Sequence, residues 1–238
     1  MRFCFYFILF LFLEVIVMAY VAPTIRSVGD AVTAADYNIM ANNALQFAPF
    51  VQGVFTNEAA RDAAITSPTE GMHVYLTAPT VPAATGATTI LPSGIETVYN
   101  GSVWVCVTPV AAYNDTPGTT SSSSWTTTLS GGGTNVSVTL VTGTSALLSL
   151  HVSGYNNNLA NSTSITISVS GATTIAAGSV PLNGRCNSAI NGQVLLATTT
   201  RVISGLTAGT NTFTMNYIVS GGTSGGLYER SLIAQGIA

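Results

Sequence analysis

The residues that could carry acid–base chemistry are few and far apart. His73 and His151 are the two histidines of the chain, and each lies in an alternating run on the side opposite the apolar residues. This position predicts a surface or subunit-contact role for both. After Asp115 the sole acid is Glu229, whereas acid–base cleavage of a polysaccharide needs two carboxyl groups. We therefore expect no catalytic residues and no enzyme activity.

Metal and cofactor chemistry is not indicated either. Cys4, Cys106 and Cys186 are isolated, with no pairwise spacing typical of a metal site. Cys106 lies in an apolar run and is interpreted as a small buried side chain. The sequence leaves undecided whether Cys106 and Cys186 form a disulfide. No glycine-rich phosphate loop or zinc motif occurs. The expectation is no cofactor, no cofactor-binding residue and no metal ligand.

The low charge of the chain limits the classes of partner that it can bind. Only 6% of the 238 residues are charged, lysine is absent, and the formal net charge is −3. Six scattered arginines do not make the basic surface that nucleic-acid binding requires. The hydrophobic fraction is 47% and patterned, which argues against disorder. Such a surface of Ser, Thr, Asn and Gly suits particles and extracellular assemblies.

The last third of the chain predicts the main element type. Residues 211–219 alternate strictly, with Phe213, Met215, Tyr217 and Val219 on one face, as in a half-buried strand. The same pattern recurs back to Trp125, with inward sets at 136/138/140, 148/150/152 and 165/167/169. About seven or eight short strands with polar turns predict an antiparallel, jelly-roll-like β-sandwich over residues 125–238.

Residues 18–109 predict a small α+β module of two short helices and a β-hairpin. The first helix begins near Thr33 with a capping box. The second spans 56–65, and its charged residues Glu58, Arg61 and Asp62 are interpreted as a solvated face. Asn100-Gly101 is a strong hairpin-turn signal within residues 96–107. Residues 110–124 are rich in Pro, Gly and Ser and are interpreted as a linker.

The first seventeen residues form an apolar segment behind Arg2. It is short for a membrane span and contains Glu14. Three interpretations stay open: an extension from a misassigned start upstream of Met18, a secretory signal peptide, or an anchor. Under the first two, the mature protein has no membrane insertion.

Two patterns resemble structural proteins of tailed bacteriophages. The order Phe55-Thr-x-Glu-Ala-Ala-Arg-Asp-Ala-Ala-Ile65, Ser67-Pro-x-Glu-Gly-Met72, then Val98-Tyr-Asn-Gly-Ser-x-Trp104 resembles a module of minor structural and tail-fibre proteins. Residues 204–217, followed by Tyr228-x-Arg230, resemble the C-terminal β-domains of tail-fibre and head-fibre proteins. The resemblance implies a virion location, other virion proteins as partners, a homotrimer, and contact with the host surface.

The resulting hypothesis is a tail or head fibre that displays its sandwich for adsorption to a host glycan or protein. Loops at the ends of the sandwich would bind the receptor. The candidate receptor-binding residues are Tyr155, Asn156, Asn157, Asn158, Asn183 and Arg185. The alternatives are a purely structural capsid decoration or vertex fibre, and a secreted adhesin. Glu229 and Arg230 are interpreted as a structural ion pair or a subunit contact.

Overall fold

The computed structural model describes residues 53–157, 161–180, 182–187, 194–221 and 224–238. The extension 1–17 and the first predicted helix lie outside the described residues. The described residues belong to one compact unit, Gln52–Ala238. They are mainly β-strand, which confirms the predicted fold class.

The described part contains one helix, α1 (Glu58–Ala64), and fifteen strands. The strands are β1 (Gly53–Phe55), β2 (His73–Leu76), β3 (Ala83–Thr85), β4 (Thr88–Ile90), β5 (Ile95–Tyr99), β6 (Trp104–Cys106), β7 (Val110–Asn114), β8 (Gly118–Thr120), β9 (Ser137–Thr142), β10 (Ser145–Asn156), β11 (Ser162–Gly171), β12 (Gly184–Asn187), β13 (Leu195–Ser204), β14 (Gly209–Val219) and β15 (Gly225–Ile237).

Two antiparallel sheets form the sandwich. The six-stranded sheet has the order β13-β10-β15-β7-β4, with β8 pairing the start of β15. The five-stranded sheet has the order β12-β11-β14-β9-β3. Strands far apart in sequence are neighbours in both sheets, which excludes a simple meander. Every pairing within these two sheets is antiparallel.

The core lies between the two sheets, because each long strand alternates apolar and hydroxyl side chains. The three inward sets predicted from the sequence are all buried, as are Phe213, Met215, Tyr217 and Val219. To the same core, β7 and β15 contribute small residues such as Ala112 and Ala234. The period of two therefore identified the buried face correctly.

The predicted helix and hairpin lie together in a third sheet. Its order is β1-β2-β5-β6, and β1 is parallel to β2. Asn57 caps α1 by accepting a hydrogen bond from the Ala60 N–H at 3.0 Å. Gly101 has φ +86° in the predicted turn between β5 and β6, a conformation that glycine adopts without a Cβ penalty.

This sheet packs at one end of the sandwich. A Cβ at Gly236 would overlap Val105 of β6, and Gln235 Nε2 donates to the carbonyl oxygen of Val107 at 2.6 Å. These contacts lie where β15 ends and β10 begins, since Ser145 pairs with Ile237. We call this the Ile237 end of the sandwich, and the opposite end, where Asn156 pairs with Gly225, the Gly225 end.

Two segments differ from their sequence interpretation. Residues 110–124 are not a linker, because β7 and β8 within them pair with β15. Residues 78–94, within the module predicted over 18–109, contain β3 and β4, which extend the two sandwich sheets. Strand formation depends on packing against cross-strand neighbours, so a composition typical of a linker does not exclude short strands whose partners are distant in sequence.

Buried polar side chains explain why residues 115–134 are ordered. Arg230 is 1% exposed, and its Nη2 donates to the carbonyl oxygens of Thr116 and Gly132. Asn114 Nδ2 donates to the carbonyl oxygens of Gly132 and Thr134. Backbone carbonyls of an irregular segment are thereby satisfied inside the protein, so this segment is held against the sandwich.

Candidate functional site

The first predicted receptor loop is largely strand. Tyr155 and Asn156 are the last two residues of β10. Asn156 is fully buried, and its Nδ2 donates to Thr163 Oγ1 at 3.5 Å, so its prediction as a receptor contact is wrong. Asn157 is exposed and donates its N–H to the carbonyl oxygen of Ser224. Asn158 lies outside the described residues.

The second predicted loop reaches the same end of the sandwich. Arg185 and Cys186 lie in β12, which pairs with the start of β11. Asn183 and Arg185 are exposed, whereas Cys186 points inward and is buried. Thr163 joins the two regions: it pairs with Cys186, and its Oγ1 donates to the carbonyl oxygen of Tyr155 at 2.9 Å. The two predicted loops are thus both at the Gly225 end.

A β-bulge at this end exposes an aromatic pair that the sequence analysis missed. The register of β10 and β15 shifts at Ser153/Gly154, and Tyr228 is left without a pairing partner in β10. Its ring lies 5.6 Å from that of Tyr155, with the planes tilted by 35°. The Tyr155 ring lies across Gly226, where any Cβ would overlap it. Bulges commonly reorient a side chain in this way.

Two titratable side chains lie further along the same face of the sheet, Glu229 next to Tyr228 in β15 and His151 four residues before Tyr155 in β10. Glu229 is exposed, and its carboxylate lies 3.8 Å from His151 Nε2. The His151 Nδ1 is 2.9 Å from Thr198 Oγ1. We call Tyr155, Tyr228, Glu229 and His151 the aromatic patch. It combines aromatic ring surface with a carboxylate and an imidazole. This combination suits a ligand that has both polar groups and an apolar face.

Glu229 and Arg230 do not form the ion pair considered above. Adjacent residues of a strand point to opposite faces, so Glu229 faces solvent while Arg230 is buried.

A spacing signal for the bulge was present in the sequence. Leu227 and Leu232 are both buried but five positions apart, which an unbroken period of two does not allow.

A second polar cluster lies on the four-stranded sheet at the Ile237 end. His73 Nδ1 and Glu96 Oε1 are 2.7 Å apart, with side chains 41% and 45% exposed. Tyr75 is 42% exposed. These residues line a concavity of about 470 Å³ with Val54, Val74, Gly94 and Thr108. We call it the His73 cleft.

The charged residues of α1 are structural. Arg61 is 6% exposed and lies 4.8 Å above the Trp104 ring, so the predicted solvated face is wrong for this residue. Its Nε also donates to Asp62 Oδ1 at 2.8 Å. Glu58 accepts hydrogen bonds from the N–H groups of Thr80 and Val81, which lower the pKa of its carboxyl although burial opposes them.

The two cysteines in the described part of the chain give no functional centre. Cys106 and Cys186 are free and buried, in different sheets. Burial raises the pKa of the Cys106 thiol to about 11 and raises that of Cys186 as well, so both thiols are unreactive at neutral pH. Among the described residues, no three His, Cys, Asp or Glu side chains are grouped to hold a metal.

Within the described ranges, no helix has the length and apolar character needed to cross a membrane.

No protein-family model matches the chain, and no curated protein matches it. Solved structures similar to parts of it include Eiger TNF from S. frugiperda, at 12% identity and TM-score 0.37 over 54% of this chain and 92% of that one. Another is the infectious bursal disease virus VP2 subviral particle, at 14% identity and TM-score 0.39 over 63% and 37%. The CBM35 from Cellvibrio japonicus Abf62 matches at 12% identity and TM-score 0.25 over 44% and 72%. Each of these TM-scores is below 0.5, so the similarities carry no inference about function.

Proposed function

We propose that this chain is a structural protein of a virion, a tail or head fibre whose sandwich adsorbs to a glycan or protein of the host surface. The observation that carries the adsorption role is the aromatic patch, where the exposed Tyr228 ring lies beside the half-buried Tyr155 ring. The motif order in residues 55–104 supports the virion assignment, because it resembles phage structural proteins.

The geometry of the aromatic patch suits recognition of a surface ligand. Tyr155 and Tyr228 lie on paired strands of a sandwich rather than on a long loop, so little conformational entropy is lost on binding. Ring faces can pack against the C–H face of a sugar or an apolar side chain. Glu229 can accept hydrogen bonds beside them.

The adsorption role is tested with the full-length chain, labelled and incubated with a panel of bacterial strains. We expect binding to cells of at least one strain, with Tyr228→Ala reducing the affinity about thirtyfold, since a hot-spot aromatic contributes about 2 kcal/mol. Leu91→Ala is the matched control, because it removes a similarly exposed apolar side chain (43%) that belongs to neither the aromatic patch nor the His73 cleft. Absence of binding to every strain, or equal loss in both variants, would contradict the role assigned to the patch.

We also propose that the protein is a homotrimer. Exposed apolar side chains share the outer face of the six-stranded sheet, toward the Ile237 end: Ile90, Leu147, Val202, Ile233 and Ile237. No arginine lies among them on this face, and the chain has no lysine, so copies can pack there without burying unpaired charge. The aromatic patch at the Gly225 end would stay accessible.

Two alternatives share these observations. A capsid decoration or vertex fibre would assemble through the same apolar face but bind no cell. A secreted adhesin would bind cells but carry a cleaved N-terminal signal. Sequencing the N-terminus of the mature protein separates the last case: a first residue at Met18 or Ala19, in a chain purified from particles, supports the virion assignment.

A further inference from the structure

The His73 cleft is a polar concavity with an aromatic wall that the proposed adsorption site does not use. It lies on the four-stranded sheet, at the Ile237 end, whereas the aromatic patch lies at the Gly225 end. Val54 of β1, Tyr75 of β2 and Glu96 of β5 form one row across this sheet. His73 lies two residues from Tyr75 and shares its face of the sheet.

The hydrogen-bonding capacity of the cleft is dominated by acceptors. A carboxylate only accepts, so the 2.7 Å contact requires His73 Nδ1 to carry the proton that Glu96 Oε1 accepts. The Nε2 of a neutral His73 is then an acceptor, as is Glu96 Oε2. Neither atom has a further protein partner in the described part of the chain. Two acceptors held at fixed positions favour a ligand with neighbouring O–H donors.

Tyr75 forms the apolar wall. A Cβ at Gly94 would overlap the phenol end of Tyr75, so the glycine allows the ring to lie across the neighbouring strand. Val54, 67% exposed, continues the apolar surface on the other side of Tyr75. The Tyr75 hydroxyl makes no hydrogen bond to any described residue and can donate or accept at the rim.

We infer that the His73 cleft binds a neutral saccharide. A pyranose is complementary to both parts of the cleft. Its C–H face can pack on the Tyr75 ring, and its adjacent hydroxyl groups can donate to Glu96 and His73. The Glu96 carboxylate repels acidic sugars. This inference does not depend on the adsorption role of the aromatic patch.

Saturation-transfer NMR on the full-length protein tests the inference. The probes are methyl glucoside, methyl galactoside and N-acetylglucosamine at millimolar concentration, with glucuronate as the acidic comparison. We expect transfer to at least one neutral sugar and none to glucuronate. Glu96→Gln and Tyr75→Ala should each weaken binding about tenfold, since one charged hydrogen bond or one ring contact is lost.

Val194→Ala is the matched control and should leave the signal unchanged, because Val194 is 45% exposed and belongs to neither binding site. Tyr228→Ala reports separately on the aromatic patch. Amide spectra of each variant establish that the fold is retained, which is expected because His73, Tyr75 and Glu96 are all half-exposed. Binding that is lost in Tyr228→Ala but kept in Tyr75→Ala would assign the sugar to the aromatic patch and overturn the inference. No transfer to any neutral probe, or equal transfer to glucuronate, would overturn it as well.

Discussion

At the scale of single residues, Arg230 is the unusual feature of this molecule. It is 1% exposed, and in the described part of the chain no carboxylate pairs with it. Carbonyl oxygens hold its guanidinium instead, and the Tyr217 ring lies 5.9 Å from it, at the limit of a cation–π contact. Burying a charge among neutral partners costs free energy. Because the hydrogen bonds of the buried guanidinium go to carbonyl oxygens of residues 115–134, this arginine holds that segment in place.

Replacing Arg230 should destabilise the fold. Arg230→Met removes the donor to the Thr116 carbonyl and leaves the Gly132 carbonyl with Asn114 as its remaining side-chain donor. We expect a loss of about 3 kcal/mol in the free energy of unfolding, measured by urea denaturation. The control is Arg201→Met, because Arg201 is exposed on β13 and its loss should change stability by less than about 0.5 kcal/mol. Equal effects of the two substitutions would show that Arg230 does not act as a clamp.

Tyr217 makes the fold sensitive to high pH. Burial raises the pKa of Tyr217 to about 12, while the positive charge of Arg230 opposes that rise. Unfolded tyrosine releases its proton near pH 10, so this contribution to stability is complete below about pH 10 and is lost as the pH rises toward 12. The loss by pH 12 is about 2 kcal/mol.

Tyr217→Phe should remove that part of the pH dependence. Its hydroxyl forms no hydrogen bond of ordinary geometry with a described residue, so at pH 7 the variant should differ from the wild type by less than about 1 kcal/mol. Denaturation curves at pH 7, 10 and 11 provide the comparison. A variant that loses stability above pH 10 as steeply as the wild type would contradict the assignment.

At the scale of elements, the sandwich depends on short strands from the first half of the chain. β7 and β8 pair with β15, while β3 and β4 extend the edges of the two sheets. Val110 and Ala112 of β7 are fully buried between the sheets. The domain boundary expected at residue 125 therefore cuts through the core of the sandwich.

A fragment beginning at Trp125 should fail to fold. It keeps every long strand but leaves one edge of β15 unpaired and exposes the inner surface that Val110 and Ala112 cover. We expect poorly dispersed amide resonances and aggregation, against a dispersed spectrum for the full-length chain. A well-dispersed spectrum of the fragment would show that β7 and β8 are dispensable.

At the scale of the whole molecule, the outer face of the six-stranded sheet is the surface suited to assembly. Its exposed apolar residues come from four strands, and its edge strand β13 exposes Leu196 and Val202 at 70% and 54%. A long edge strand with exposed apolar residues is a site where another chain can pack. The near-absence of charge in this protein makes such contacts insensitive to salt.

Val202→Lys should disrupt the proposed trimer, because it places a charge within the packed face. Light scattering after size exclusion should show three copies for the wild type and a shift toward one copy for the variant. Val54→Lys is the matched control: Val54 is 67% exposed but belongs to the four-stranded sheet. A monomeric wild type would remove the trimer from the proposal.

The sequence by itself determined the mainly β fold class and which face is buried in the strands with predicted inward sets, β9, β10, β11 and β14. The alternation in residues 211–219, and in the three inward sets, depends only on neighbours along the chain, because a pleated backbone turns successive side chains to opposite faces. The cap of α1 and the turn at Asn100-Gly101 likewise depend only on residues that are close in the sequence. No comparable pattern marked β3, β4, β7, β8 or β12, which are short and paired with distant strands.

Only the tertiary structure decided which polar residues lie together. Asn156 became buried and Arg230 separated from Glu229 because a strand's partners determine what each face meets. Tyr228 became exposed through a register shift between β10 and β15. At this shift the paired residues are more than seventy positions apart in the sequence. His73 and Glu96 meet across a pairing of β2 with β5. Such juxtapositions arise from long-range pairing, which the spacing of residues along the chain does not encode.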